Sequence, residues 1–332
     1  MKKTPAYKFS IAPMMEWTDR HCRFFHRTIS SRALLYTEMV TADAIIHGDQ
    51  ERLLGFSKEE HPLALQLGGS DPEKLQEATE IANEFGYDEI NLNVGCPSDR
   101  VQNGAFGACL MREPELVREC MTAIDEVADM PVTVKCRIGV DDMDDDEGLQ
   151  NFIDIVKGSG VTTFIIHARK AWLQGLSPKQ NREVPPLNYE RVYKLKAEHP
   201  ELTIIINGGI ETLEQASDHL EKVDGVMMGR AAYHTPYILE RVDKRMFFEY
   251  PDKKSRFDIA EAMIPYIERE LEKGTRLHQI TRHMLGLFHG EANARAYRRI
   301  LSTEANKEGA GLEVYNAALD SVRHTQQQEL AS

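Results

Sequence analysis

Eight short β-branched or apolar runs recur along the first two-thirds of the chain, separated by segments of helical character. They are SIAPM (10–14), LLYTEM (34–39), LALQLGG (63–69), EINLNVG (89–95), VTVKCRIG (132–139), TTFIIHAR (162–169), TIIINGG (203–209) and GVMMGR (225–230). Strands alternating with helices predict βαβ units, and eight such units in a span of this size fit an α/β fold, a (β/α)8 TIM barrel, which typically runs to about 250 residues. A doubly wound open sheet is the alternative; the GxGxxG turn that often opens one is absent.

Side chains alternate across a strand, so each run can be split into two faces. Asn91 and Asn93 oppose Ile90, Leu92 and Val94. Thr133, Lys135 and Arg137 oppose Val132, Val134 and Cys136. Gln66, His167 and Asn207 fall on equivalent faces of their own strands. The apolar faces suit packing against outer helices. The other faces carry a polar residue near the C-terminal end of five strands: Gln66, Asn93, Lys135, His167 and Asn207. In a barrel those ends converge on the catalytic mouth. One satisfied core Asn or His means little; five at one depth point to a site. An inward lysine requires an anion or an electron-rich ring beside it, or else a carboxylate such as Glu38. The last two strands end in INGGI (206–210) and MMGRAA (227–232), glycine turns after strands seven and eight, where such barrels commonly hold phosphate. A phosphorylated cofactor across the mouth follows, with Lys135, Gln66 and His167 under its ring.

Composition narrows the picture. The chain has 332 residues, 42% hydrophobic and 28% charged, as expected of an ordered globular protein of one large and one smaller domain. No apolar signal core and no run of roughly 20 apolar residues is seen, so a cytoplasmic protein without membrane association is expected. Five cysteines, Cys22, Cys96, Cys109, Cys120 and Cys136, lack any metal-binding spacing, so free thiols and no metal site are expected.

Seven stretches are recognisable together: APMMEWTDRHCRFF (12–25), QLGG (66–69), NLNVGCPSDRVQNGAFGACLM (91–111), VKCRIG (134–139), HARKAWLQGLSPKQNREVPPL (167–187), NGGI (207–210) and GRAAYHTPY (229–237). The chain resembles the tRNA-dihydrouridine synthases over nearly its whole length, most closely the bacterial A subfamily acting on uridines 20 and 20a of the tRNA D-loop. The resemblance implies bound FMN, NADPH as reductant and a C-terminal α-helical domain that helps hold tRNA. Carried over motif by motif, it puts FMN contacts at Pro13, Met14, Met15, Gln66, Lys135, His167, Asn207, Gly208, Gly209, Gly229 and Arg230, and the catalytic cysteine at Cys96. Reducing the uracil C5=C6 bond needs a hydride at C6 and a proton at C5. The cofactor carries the electron chemistry, and a thiol, with a free pKa of about 8.5, can hold the proton. Gly95 and Pro97 fix Cys96 just past a strand; Cys109, in a glycine-rich loop read as a mobile cover, is the rival donor. Asn93 is placed to hold the uracil or a neighbouring ribose.

The net charge of −13 argues against a polyanionic substrate taken alone. Charge is unevenly spread, however. Residues 169–196 hold seven Arg and Lys against two Glu, and residues 276–299 hold five Arg against one Glu. Lys179 and Arg182, with Arg295, Arg298 and Arg299 on one helix face, are the expected tRNA contacts. The acidic excess lies elsewhere, notably in VDDMDDDEG (140–148). The catalytic barrel is expected over 1–245 and the helical tRNA-binding domain over 246–332, with FFEYPDKKSRFD (247–258) as linker and a frayed tail over 324–332. The rival readings are an FMN barrel reducing a free pyrimidine and a tRNA-binding chaperone without chemistry.

Overall fold

The computed structural model describes residues 7–98, 106–144 and 146–330, with side chains as far as Arg323. Asp99 and Arg100 of the cysteine loop, and Asp145 of the acidic run, lie outside the described residues. All eight expected strands form: β1 Phe9–Ile11, β2 Leu35–Thr41, β3 Leu63–Gly68, β4 Glu89–Val94, β5 Val132–Arg137, β6 Thr163–His167, β7 Thr203–Asn207 and β8 Gly225–Met228. They pair in parallel in the order β1-β8-β7-β6-β5-β4-β3-β2. Leu34, just ahead of β2, closes the ring: its carbonyl accepts from Ile11 N–H at 2.9 Å and its N–H donates to the Phe9 carbonyl at 3.1 Å. The architecture is the expected (β/α)8 barrel rather than an open sheet.

Parity decides what lies inside. Tyr7, Ala12, Leu34, Tyr36, Ala64, Ile165, Ile205 and Met227 form one buried cluster. Ile90, Leu92, Val94, Val134 and Cys136, on the opposite faces, are fully buried too, toward the outer helices. Pro72–Asn83 is one of these, started by Asp71, whose side chain accepts from the N–H groups of Glu73 and Lys74, with Pro72 in the first turn. It buries Leu75, Ala78, Thr79 and Ala82. Pro114–Val127 likewise buries Val117, Cys120, Met121 and Ile124.

The chain divides into two compact units, Met1–Glu16 with Leu34–Gly229, and Trp17–Ala33 with Arg230–Ser332. The first helix, Arg20–Ile29, thus groups with the C-terminal segment, and the expected linker at 247–258 lies inside the second unit. Asp243 supplies the physical reason. It is 3% exposed, and it accepts hydrogen bonds from Ser30 Oγ, Ser31 N–H at 2.8 Å, Ser31 Oγ at 2.7 Å and Arg32 N–H at 3.3 Å. Within the expected linker, Lys254 Nζ donates to the Thr28 carbonyl at 2.7 Å. Ile259, Met263 and Ile267 of the expected helical pattern are buried, with Ile264 and Leu271 at the margin. The final helix, Leu312–Leu330, runs further than a tail frayed from residue 324. Among the described residues, no helix is long and apolar enough to cross a membrane.

Asp243→Ala should destabilise the protein by about 1–3 kcal/mol, because Ser30 and its neighbours lose a buried acceptor. Asp243→Asn keeps one carbonyl oxygen and should cost less. Urea unfolding midpoints check both; wild-type midpoints in the two variants would remove Asp243 from this role.

Candidate active site

The polar residues expected at the strand ends come together in two groups. In the first, the β4 exit is clamped by its own strand. Asn93 Oδ1 accepts from the N–H groups of Gly95, at 3.0 Å, and Cys96, at 2.9 Å. Asn93 Nδ2 donates to Gln66 Oε1 at 2.8 Å, and Gln66 Nε2 to Asn91 Oδ1 at 2.8 Å. The Cys96 carbonyl accepts from Ala108 N–H at 2.9 Å, and its Sγ lies 3.5 Å from Ser98 Oγ. The half-buried thiol therefore sits on a loop whose backbone is held from both sides.

The second group gathers on β5, β6 and β7. Lys135 pairs in register with Asn93 on one side and Ile165 on the other, and its Nζ donates to Asn207 Oδ1 at 3.1 Å. Asn207 Nδ2 donates to the Met227 carbonyl at 2.8 Å. No carboxylate pairs with Lys135 among the described residues. Glu38, the carboxylate considered for that place, accepts from the Glu16 N–H instead. Burial pushes the Lys135 ammonium down to about 8, and the Arg137 guanidinium adds to that push. The same burial, reinforced by Arg137 and Lys135, holds His167 well below its ordinary range, so the ring is neutral. Its buried Nδ1 has no hydrogen-bond partner.

Gly208 and Gly209 follow β7 with φ of +113° and +69°. A Cβ at Gly208 would stand 3.0 Å from the His167 ring, and one at Gly209 would stand 2.6 Å from Leu187 Cδ1. Only glycine fits this turn. Gly229, after β8, has no such crowding: an added Cβ would be 3.8 Å from Ala12 Cβ and 3.9 Å from Met14 Sδ. Of the first-loop residues, Pro13 and Met14 are half-buried and Met15 is 56% exposed. Arg230 opens the helix Arg230–His234, at the start of the second unit. An enclosed ammonium lacking an anion, an orphaned imidazole nitrogen and a glycine cradle together fit a planar, anionic cofactor.

The two basic segments hold both exposed and ion-paired cations. Lys179 and Arg182 are exposed on the loop after β6, and Arg295 and Arg299 are exposed with Arg298 half-buried on the helix Ala294–Thr303. Other members of the same two basic segments are committed elsewhere. Arg191 binds Asp146 at 3.1 Å, Lys194 binds Asp146 at 3.2 Å, Lys196 binds Asp224 at 2.9 Å, and Arg282 binds Asp19 at 2.6 Å.

Three residues given no role from the sequence help build the site. Arg137, 4% exposed, donates through Nε to the Gly95 carbonyl at 2.8 Å and through a guanidinium nitrogen to the carbonyls of Lys170, at 2.9 Å, and Asn181, at 3.1 Å. Its inward parity was the available signal. Asn181, fully buried, holds the Trp172 N–H at 2.8 Å and its carbonyl at 2.9 Å, shaping the basic loop. Tyr189 donates to the Gly208 carbonyl at 2.8 Å. No sequence signal marked either. Cys109 lies in the short 3-10 helix Gly107–Arg112, beside buried Ala108, Leu110 and Met111, and Gly104 and Ala105 of the glycine-rich segment lie outside the described residues. The Cys109 Sγ approaches the Phe106 carbonyl at 3.1 Å, and burial pushes its thiol up.

The family profile described as dihydrouridine synthase (Dus) matches residues 10–323. The chain belongs to the dihydrouridine synthase family. A Shewanella oneidensis protein named tRNA-dihydrouridine(20/20a) synthase is 60% identical to this synthase over 95% of this chain and 94% of its own length. Its namesakes from Escherichia coli O6:H1 and Vibrio parahaemolyticus are 59% and 58% identical, each over 96% of this chain and over 96% and 98% of their own lengths. Among solved structures, morphinone reductase superposes with a TM-score of 0.52 at 13% identity, over 70% of this chain and 84% of its own. A 2-naphthoyl-CoA reductase superposes with a TM-score of 0.54 at 10% identity, over 71% of this chain and 50% of its own. These last two likenesses concern the fold.

The lysine of this dihydrouridine synthase offers a direct test. Its folded pKa of about 8 lies below the unfolded value of 10.5. The charged form is therefore penalised by folding, fully below pH 8 and not at all above 10.5. Lys135→Met should stabilise the cofactor-free protein by about 1–3 kcal/mol at pH 7, and the gain should fade between pH 8 and 10.5. Urea midpoints at the two extremes check this; an equal gain at both would make the effect one of packing.

Proposed function

We propose that this dihydrouridine synthase reduces the C5=C6 bond of uridines 20 and 20a in the tRNA D-loop to 5,6-dihydrouridine, with FMN as cofactor and NADPH as reductant. The observation that carries the reading is the Cys96 loop, whose backbone N–H groups are held on Asn93 Oδ1 just past β4. When bound and reduced by NADPH, FMN would supply the hydride to uracil C6. Lys135, His167 and the Gly208–Gly209 turn hold its ring system, with Gln66, Pro13, Met14 and Met15; Gly229 and Arg230 hold its phosphate, Arg230 through a charge-assisted contact. Cys96 Sγ gives a proton to C5. Asn93, already oriented by its neighbours, meets the uracil or its ribose. The uridine has to leave its stack to reach the barrel, and Lys179 and Arg182 in the first unit, and Arg295, Arg298 and Arg299 in the second, each contact tRNA phosphates. The setting is the cytoplasm, where its tRNA substrate is found.

Cys96→Ala should bind FMN and accept electrons from NADPH as the wild type does, since neither step uses the thiol. Turnover on tRNA should fall by about 10²–10⁴-fold, the loss typical of a positioned acid. Cys109→Ala should cost far less, because that thiol is turned to the Phe106 carbonyl. Single-turnover reoxidation of the reduced flavin by tRNA separates the two. Wild-type reoxidation in Cys96→Ala, with stalling in Cys109→Ala, would move the proton to the neighbouring loop.

Arg298→Ala combined with Arg299→Ala should weaken tRNA binding and lower the slope of log affinity against log salt by about 1 for each phosphate that is no longer neutralised. Reduction of the flavin by NADPH should be untouched. Filter binding across a salt series checks this, and an unchanged slope would assign both arginines to solvent.

A further inference from the structure

A single hydrogen-bonded chain crosses the barrel interior from the Cys96 loop to the opposite end. Its upper links are the N–H groups of Gly95 and Cys96 on Asn93 Oδ1, Asn93 Nδ2 on Gln66 Oε1, and Gln66 Nε2 on Asn91 Oδ1. It continues from Asn91 Nδ2 to Thr133 Oγ1 at 2.8 Å and from Thr133 Oγ1 to Glu89 Oε1 at 2.7 Å. Tyr36 donates to the same Glu89 oxygen at 2.6 Å. Gln66, Asn91, Thr133 and Glu89 are all 0–1% exposed, so water cannot replace a broken link. Every link donates in the same direction, away from Cys96. An amide is nearly symmetric in shape, and its neighbours decide which end carries oxygen. The backbone N–H groups fix the upper end, since they can only donate. The Glu89 oxygen fixes the lower end: it receives the Thr133 hydroxyl, whose oxygen is thereby left to accept from Asn91. The two ends demand the same polarity, and links in such a chain strengthen one another.

We propose that Thr133 and Glu89 are positioning residues for the uridine-reducing reaction: anchored at the far end of the barrel, they fix the amide orientations of Gln66 and Asn93 and so hold the Gly95–Cys96 backbone in place. The proposal rests on the role given to Cys96 above. Cutting the chain at Thr133 leaves Asn91 Nδ2 without a buried acceptor. Asn91 then turns to find one, which releases Gln66, and Gln66 releases Asn93.

Thr133→Val removes the hydroxyl at nearly constant volume, and Thr133→Ser restores it. Two readouts apply. Hydrogen exchange followed by mass spectrometry reads the amides of Gly95 and Cys96 in the purified protein; single-turnover mixing of the NADPH-reduced, FMN-loaded enzyme with tRNA lacking dihydrouridine reads reoxidation. In Thr133→Val, exchange at Gly95–Cys96 should rise about tenfold with β6 and β7 amides unchanged, and reoxidation should slow about tenfold with NADPH reduction unaltered. Thr133→Ser should return both to within about twofold of wild type. Tyr36→Phe, which removes a bond to Glu89 without cutting the chain, should leave Gly95–Cys96 exchange alone. Wild-type exchange in Thr133→Val overturns the proposal, as does equal impairment in the Val and Ser variants. Should the wild type itself fail to reoxidise with tRNA, the functional reading falls, and the exchange comparison alone still decides for or against the anchor.

Discussion

Two backbone hydrogen bonds, from Ile11 N–H to the Leu34 carbonyl and from Leu34 N–H to the Phe9 carbonyl, turn eight parallel strands into a closed ring. Without closure, β1 and β2 would present unpaired edges, and strand parity would separate two faces of a sheet rather than an inside from an outside. With it, every second residue of each strand is turned into the barrel interior, where Ala64, Gln66, Asn91, Thr133, Ile165 and Ile205 are 0–1% exposed. A polar residue placed there must find its partner among the other inward residues or bear an unmet desolvation cost. Gln66, Asn91, Asn93 and Thr133 meet that demand together, on three adjacent strands, and could not do so on strands out of register. The pairing of Gln66 with Asn91 and of Asn91 with Thr133 is what brings each donor level with its acceptor.

Period-two alternation makes much of this legible in the sequence. It assigns Gln66, Asn93, Lys135, His167 and Asn207 to one kind of face, and the glycine turns after β7 and β8 mark the end of the barrel that matters. What alternation cannot supply is reach. It puts Lys135 inside but offers Glu38 as a partner, whereas Nζ extends across the interior to Asn207. It leaves Arg137 without a task, because three carbonyl acceptors from two loops cannot be inferred from the strand that carries the donor. The grouping of Trp17–Ala33 with the C-terminal segment is equally hidden. It depends on Asp243 meeting Ser30 and Ser31 across more than 200 residues of sequence, and neither side has a pattern that announces the other.

Charge counting along the chain leaves out partners that meet in space. A local surplus in sequence counts only neighbours along the chain, while lysines and arginines choose partners in space. Arg191, Lys194 and Lys196 belong to a basic segment by sequence, yet they are held by Asp146 and Asp224 from other segments. Arg282 is held by Asp19, which lies 263 positions away. Lys179, Arg182, Arg276, Arg295 and Arg299 are exposed beside the ion-paired Lys194 and Arg282. A net charge of −13 repels a polyanion at long range, but that repulsion is screened beyond about 8–10 Å at physiological ionic strength. A few exposed cations at contact distance can therefore dominate binding by an acidic protein.

The end of the barrel that carries Lys135 is built against its own stability. An ammonium pushed down to about 8 by burial and an imidazole nitrogen without a hydrogen-bond partner each raise the free energy of the cofactor-free fold. The other end holds a buried carboxyl of its own: Glu89 Oε1 accepts from Thr133 and Tyr36, but Glu89 Oε2 and the Tyr7 hydroxyl are buried without a hydrogen-bond partner, and burial pushes Glu89 up to about 7. A ligand that brings an anion to Lys135 and a hydrogen-bond partner to His167 removes the costs at those two residues on binding, so they become differential affinity for the occupied state. By linkage, the protein is then stabilised by RT ln(1 + [L]/Kd), about 4.1 kcal/mol when the ligand stands at a thousand times its Kd. An end of the barrel relaxed in the absence of ligand would have less to gain from one, and would hold it less tightly for the same contacts.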